Sequence, residues 1–158
     1  MTTFFSDSEH PEEPKAPPKS ARRRSREFIL QGLYQWRVGG ADEAYAPEME
    51  GFAKADREFF VGTLRGVIGQ HEKLTEQISA HIDRPFGELS PVEACILMMG
   101  SFEMINHPET PYRVIINEAI ELTKAFGGTD GHKYVNGVLD KVAAVVRADE
   151  VAARKKGK

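Results

Sequence analysis

The sequence predicts an all-α fold, and three kinds of observation support that prediction. Apolar residues recur at three- and four-residue steps in several stretches, which is the spacing of one helix face. Helix-starting residues, such as serine or threonine before proline, and helix-ending glycines stand at the ends of these stretches. No stretch alternates between apolar and polar residues for long enough to form a strand.

The first helix follows an N-terminal extension. Residues 1–19 are rich in proline, glutamate, serine and lysine, which predicts a disordered segment. Ser20 predicts the N-cap of a helix, and Gly39-Gly40 predict its end. The apolar face of this helix comprises Ile29, Leu30, Leu33 and Trp36, and the opposite face comprises Arg23, Arg24, Glu27, Gln31, Tyr34 and Gln35. Arg22 and Arg26 fall nearer the apolar face, where their stems can lie along it while their charges stay in water.

A second, long helix is predicted next. After an irregular stretch, in which a short helix is expected at residues 48–53, Asp56 is placed to cap a helix. Its apolar spacing continues to His81, and residues 83–87 break it. His71 and His81 lie on the apolar stripe, so we interpret them as residues at the edge of the core rather than as ligands.

A central helix follows from a strong start signal. Ser90-Pro91-Val92-Glu93 combines a serine N-cap, a proline at the first helical position and a glutamate that reaches back as a capping box. The following EACILMMGSFEMI is apolar almost all round, which predicts a helix through the middle of the domain. His107-Pro108 ends this helix, and Thr110-Pro111 opens the next one.

Residues 112–141 predict two helices around a tight loop. The buried stripe of the first comprises Ile116, Ala119, Ile120, Thr123 and Phe126, and that of the second comprises Val135, Val138, Leu139, Val142 and Val146. Gly127 is placed for a left-handed C-terminal cap, and Thr129 or Asp130 for an N-cap. The loop carries a lysine and an exposed tyrosine, which is typical of a contact surface.

Several kinds of chemistry are unsupported by the sequence. Cys95 is the single cysteine and lies in an apolar run, which indicates a buried, inert thiol in a reducing compartment. The five histidines have no zinc-site spacing, and GGTDGHK lacks the four-residue gap and the hydroxyl of a phosphate-binding loop. No apolar stretch is long enough to span a bilayer, and the N-terminus lacks the pattern of a signal peptide. We therefore expect neither an enzyme nor a metal, a cofactor or a membrane partner.

The charge distribution favours nucleic acid. The formal net charge is -3, but residues 19–37 contain six basic residues and one acid, a local excess of 6 − 1 = 5. Arg23, Arg24, Gln31 and Tyr34 combine cations for phosphates, an amide for base edges and a ring for stacking, a mixture used to recognise single-stranded RNA. A solvated helix start is the plainer interpretation of the same basic residues. Lys133 and Tyr134, next to Asp130, repeat the pair of a cation and an aromatic ring.

Three segments carry a family resemblance. ARRRSREFILQGLYQW, LSPVEACIL and PYRVIINEAIELTKAFGGTDGHKYVNGVLDKV together resemble the NusB family of bacterial transcription antitermination factors, in order from about residue 21 to 147. The resemblance implies about seven helices in two packed halves at residues 20–147. The basic end at 148–158 lies outside the resemblance, and its composition predicts a flexible tail. It also implies a cytoplasmic protein that binds the boxA RNA of ribosomal RNA leaders together with NusE, a small-subunit ribosomal protein, in the RNA polymerase antitermination complex.

The resemblance also assigns roles to residues. Those implied in RNA binding are Arg22, Arg23, Arg24, Arg26, Gln31, Tyr34, Asp130, Lys133, Tyr134 and Asn136. Those implied in NusE binding are Glu93 and, as outward neighbours on the central helix, Ile96, Leu97 and Gly100. Met98 and Met99 depart from a more polar family surface, which predicts either an apolar partner contact or a buried face.

Two other classes of function remain open from the sequence. One is an RNA-binding subunit of an RNA-modifying enzyme, because some ribosomal RNA methyltransferases carry a NusB-like domain. The other is a structural module that self-associates through the central helix. The sequence leaves open whether the protein is a monomer or a homodimer.

Overall fold

The computed structural model describes residues 20–40 and 56–157, and these residues confirm the all-α fold. The described residues form seven α-helices, one short 3₁₀ turn at Phe86–Glu88 and no strand. The helices are α1 (Ala21–Gly39), α2 (Arg57–Gly69), α3 (His71–Ser79), α4 (Pro91–Asn106), α5 (Tyr112–Phe126), α6 (Gly131–Val146) and α7 (Ala148–Lys156). They belong to two compact units, one up to Arg65 and one from Gly66. The predicted extension at residues 1–19 and the short helix at 48–53 lie outside the described residues.

Helix α1 has the ends that the sequence predicts. The Arg23 N–H donates to Ser20 Oγ at 3.1 Å. At the other end Gly40 adopts φ +74°, a left-handed conformation, and its N–H donates to the Trp36 carbonyl at 3.2 Å. The middle differs from the prediction, since every residue from 28 to 33 is buried. This part of α1 is enclosed around its whole circumference, so it has no polar outer face.

The predicted single long helix from Asp56 is wrong, because the chain forms two helices there. Asp56 does cap α2, since its Oδ1 accepts the Phe59 N–H at 3.0 Å. Helix α2 ends at Gly69, and Gln70 leaves the helical region with φ −112° and ψ 17°. His71 Nδ1 donates to the Ile68 carbonyl at 2.8 Å and so satisfies an acceptor freed by the break. This bond supports the interpretation of His71 as a structural residue.

Helix α4 is the centre of the second unit, as the sequence predicts. Ser90 Oγ accepts the Glu93 N–H at 3.1 Å, and Pro91 occupies the first turn. Every residue from 94 to 104 is buried. Helices α3, α5 and α6 pack against α4, α5 also packs against α6, and α6 packs against α7.

The α5–α6 connection differs from the prediction at both ends. Gly127 is extended rather than left-handed, with φ −101° and ψ −167°. A glycine is still required there, because a Cβ would lie 2.9 Å from the Thr123 carbonyl oxygen. Asp130 holds the N-cap position of α6, but its side chain makes no capping hydrogen bond. It forms an ion pair with Lys133 instead, at 3.6 Å.

The chain continues as helix α7 where the sequence predicts a flexible tail from residue 148. Arg147 fixes the start of this helix by donating to the carbonyl oxygens of Met104, His107 and Thr110 at 2.8, 3.0 and 3.0 Å. The guanidinium also pairs with Glu150, whose other oxygen accepts the Tyr112 N–H at 2.9 Å. Helix α7 is therefore anchored to the ends of α4 and α5, although none of its own residues is buried.

Substitutions of two glycines in α2 test the packing of α2 against Phe102 of α4. A Cβ at Gly66 would overlap the Phe102 ring, whereas a Cβ at Gly62, one turn earlier, would meet no atom within 4 Å. We expect Gly66→Ala to lower the free energy of unfolding, since overpacking costs about 1–3 kcal/mol and outweighs the gain in helix propensity. Gly62→Ala should raise it by about 0.5–1 kcal/mol. Urea denaturation of both variants checks the pair, and equal shifts of the same sign would contradict it.

Candidate nucleic-acid interface

The arginine-rich start of α1 divides into two groups with different environments. Arg22 and Arg26 point at the start of α2, with their guanidinium carbons 4.5 and 5.2 Å from the centroid of the Phe59 ring. Arg22 Nε also lies 3.9 Å from Asp56 Oδ2. Between them the buried Ser25 hydroxyl donates to the Asp56 carbonyl at 2.9 Å and accepts the Asp56 N–H at 2.7 Å. These contacts attach this side of α1 to the start of α2.

The burial of Arg26 corrects one predicted RNA contact. The sequence predicts that its charge stays in water, but the whole residue is only 5% exposed. The stacking of its guanidinium on the Phe59 ring at 5.2 Å contributes to this burial. Arg22 keeps 37% of its side chain exposed and remains at the surface.

The second group of α1 residues is Arg23, Arg24 and Tyr34, which are half-buried and reach the surface at the two ends of the helix. Arg24 has no ion-pair partner among the residues that the structure describes. Gln31 lies between them in sequence but is 1% exposed, so the prediction that it faces outward is wrong. Its amide makes no hydrogen bond within the described part of the chain. The cause is the complete enclosure of residues 28–33.

The first turns of α6 present the second predicted group. Asp130 and Lys133 form an exposed ion pair, each with 74% of its side chain in solvent. Solvation on this scale leaves the Lys133 charge available to a phosphate, because such pairs are worth little. Asn136 is half-buried, and its Oδ1 is buried without a hydrogen-bond partner in the described residues.

Tyr134 is held by a residue that the sequence did not suggest. The Arg84 guanidinium carbon lies 5.2 Å from the centroid of the Tyr134 ring. Arg84 is itself positioned by Asp83, 3.2 Å from its Nε, and this hydrogen bond and charge raise the pKa of Arg84. Burial raises the pKa of the Tyr134 hydroxyl, and Arg84 only partly opposes the rise. The phenol therefore stays neutral at physiological pH, and its oxygen has no hydrogen-bond partner in the described residues.

Glu93 lies beside this group rather than in a complete capping box. The reciprocal bond from the Ser90 N–H to the Glu93 carboxylate is absent between these two residues. The carboxylate lies against Gly131 instead, where a Cβ would be 3.2 Å from Glu93 Cδ and would also crowd Oε2. Gly131 is the first residue of α6, so the negative charge sits at a helix N-terminus, where it is favoured.

The other predicted partner residues of α4 are corrected by their burial. Ile96 and Leu97 are 0% exposed. Gly100 is also buried, and a Cβ there would lie 3.0 Å from Leu139 Cδ1. Met98 and Met99 are buried too, which decides between their two interpretations. Since α3, α5 and α6 cover α4, its middle offers no surface to a partner or to a second copy. Glu93, which is half-buried, is the one member of the predicted set that remains accessible.

A groove next to Tyr134 is not predicted by the sequence. Residues 80–83, which follow α3, and one face of α6 enclose about 570 Å³. His81, Gly137 and Lys141 line this groove together with Lys133 and Tyr134. Lys133, Gly137 and Lys141 are spaced at steps of four, and this spacing could have predicted that they share the face of α6 that lines the groove. The pairing with His81 is a long-range contact that no local pattern predicts.

Residues 20–40 and 56–157 contain neither a metal-binding cluster nor a membrane-spanning helix. No group of three or more His, Cys, Asp or Glu side chains in these ranges could hold a metal ion. No helix in them is long and apolar enough to cross a membrane. Cys95 is buried, as expected.

The described residues define an all-α protein that carries two groups of cationic and aromatic side chains, one on α1 and one at the start of α6. The chain belongs to the NusB family, whose sequence profile matches residues 23–144. It is a family of transcription antitermination factors and not of enzymes.

Similar proteins agree with this assignment. A protein of Dechloromonas aromatica named Transcription antitermination protein NusB is 85% identical, with an alignment covering 100% of this chain and 99% of that protein. A protein of the same name from Ralstonia nicotianae is 55% identical over 92% of this chain and 96% of its own length. A solved structure of T. maritima NusB superposes with a TM-score of 0.69 at 27% identity, covering 81% of this chain and 94% of that one.

Proposed function

We propose that this protein binds the boxA RNA of ribosomal RNA leader transcripts together with NusE, and thereby helps RNA polymerase resist termination in the bacterial cytoplasm. The observation that carries the proposal is the placement of Glu93 against Gly131, which puts the proposed NusE contact beside Lys133 and Tyr134. A partner that touches Glu93 would lie next to RNA held by the first turns of α6. Such adjacency supports joint binding of RNA and protein.

The chemistry of the groups on α1 and α6 supports a single-stranded RNA. Arg23, Arg24 and Tyr34 on α1 offer cations and an aromatic ring, and Lys133 and Tyr134 on α6 offer the same combination. Cations supply affinity for any phosphate backbone, and rings stack on unpaired bases. Duplex RNA hides its bases, so this mixture favours an unpaired strand.

Alanine substitutions of Arg24 and Arg26 form a matched pair that tests which arginine contributes to RNA affinity. Arg24→Ala should weaken binding of a boxA-like strand and reduce the slope of log affinity against log salt by about 0.7, the contribution of one phosphate contact on a single strand. Its thermal unfolding should be unchanged. Arg26→Ala should instead lower the thermal midpoint, because the buried contact with Phe59 is lost. Fluorescence anisotropy at several salt concentrations measures the slopes, and identical slopes for Arg24→Ala and wild type would contradict the phosphate contact.

Substitutions of Tyr134 test whether an RNA base stacks on its ring. Tyr134→Ala should cost about 1–3 kcal/mol of RNA binding free energy, the usual value for one stacked base. Tyr134→Phe should bind like the wild type, since the buried hydroxyl has no partner among the described residues and the ring is kept. Titration of RNA into each variant gives the comparison. If the Phe variant lost as much affinity as the Ala variant, stacking would not be the role of this residue.

Glu93 tests the partner contact. Glu93→Gln keeps the shape of the side chain beside Gly131 and removes its charge, whereas Glu93→Arg reverses the charge. We expect NusE affinity to fall in the order wild type, Gln, Arg, with RNA affinity in the absence of NusE unchanged. Because the carboxylate also favours the start of α6, thermal melts must show that both variants fold. Folded Glu93→Arg protein that binds NusE like the wild type would remove Glu93 from the interface.

A further inference from the structure

The groove beside Tyr134 has the size of a ligand site. It lies between residues 80–83 and the face of α6 that carries Lys133, Gly137 and Lys141, and it encloses about 570 Å³. Ligand pockets in proteins run from about 300 to 1,000 Å³. The groove is open to solvent and is lined by α6 residues over two turns, from Lys133 to Lys141, which suits a chain better than an enclosed small molecule.

The charges in the groove favour an anion. Lys133 and Lys141 line it from α6, and His81 lines it from the segment after α3. Neither Lys141 nor His81 has an ion-pair partner within the described part of the chain. Asp83 is the acid in the groove, and it forms an exposed ion pair with Arg84 at 3.2 Å, as Lys133 does with Asp130 at 3.6 Å. Lys141 is then the charged residue of the groove that has no ion-pair partner among the described residues. The remaining charge is positive, as a phosphate group requires.

Gly137 lies in the interior of α6, and packing does not explain why a glycine stands there. A glycine in a helix interior costs stability relative to alanine. At Gly66 and Gly100 the cost has a cause, since a Cβ would crowd Phe102 or Leu139. Gly62 of α2 has no such cause, and a Cβ at Gly137 would likewise meet no atom within 4 Å. This open position lies in the groove, one turn from Lys133 on one side and one turn from Lys141 on the other.

We propose that this groove holds the sugar–phosphate backbone of the RNA strand next to the base stacked on Tyr134. Lys133, Lys141 and His81 face its phosphates, and Gly137 is the floor where the strand approaches the helix most closely. The proposal rests on the proposed RNA-binding function and adds the path of the strand, along α6 from the Tyr134 ring toward Lys141.

Filling the floor of the groove tests this path. Gly137→Gln places a neutral side chain between the two lysines and replaces glycine with a good helix former. We expect thermal stability equal to or above that of the wild type, together with a roughly tenfold or greater loss of affinity for a fluorescently labelled boxA-like single strand. The matched control is Gly62→Gln in α2, because a Cβ at Gly62 also meets no atom within 4 Å and Gly62 does not line the groove. It should gain stability and bind RNA like the wild type.

The second measurement compares substitutions of two lysines, one in the groove and one outside it. Lys141→Gln should weaken binding and reduce its salt dependence, whereas Lys124→Gln, which removes an exposed lysine paired with Glu121 at 3.9 Å, should change neither. Wild-type affinity in both Gly137→Gln and Lys141→Gln would overturn the path and leave the proposed function standing. Failure of the wild-type protein to bind the strand, with or without NusE, would overturn the proposed function and this inference with it.

Discussion

The burial of α4 from residue 94 to residue 104 is the constraint on which the second unit depends. A helix that is apolar around its circumference must be covered on all sides, and α3, α5 and α6 provide the cover. Gly100 lets Leu139 of α6 come close, which fixes α6 against α4. The start of α4 is then held beside the start of α6, with Glu93 against Gly131. The residues of the proposed RNA and NusE contacts near Glu93 and Gly131 are thus positioned by the packing of α6 on α4.

The same residue types serve the fold in one place and the surface in another. Arg147 is a structural residue, because three carbonyl oxygens and a carboxylate surround its guanidinium. Arg26 is structural as well, since it is buried on Phe59. Arg24 and Lys141 have no ion-pair partners among the described residues and face solvent or the groove. What surrounds a cation, and not its place in a basic run, decides which role it has.

Local patterns predicted most of the fold because helix periodicity and capping act over a few residues. Ser20, Asp56 and Ser90 cap helices as the sequence suggests. The failures come from tertiary packing, which a helical wheel does not contain. Gln31 looked exposed because it lies opposite the apolar face, yet α1 is enclosed there on every side. Likewise Ile96, predicted on an outward face of α4, is covered by the surrounding helices, and the groove that joins His81 to α6 depends on a contact distant in sequence.

The proposed function requires that the cationic and aromatic residues of α1 and α6 select an unpaired RNA sequence jointly with NusE. The most direct measurement is the affinity of the protein for a boxA-like single strand and for a scrambled strand of equal composition, each with and without NusE, at two salt concentrations. We expect selective binding of the boxA-like strand, and we expect NusE to strengthen it. Equal and strongly salt-sensitive binding to both strands would contradict it, since the cations would then act on phosphates alone and Tyr34 and Tyr134 would carry no sequence preference.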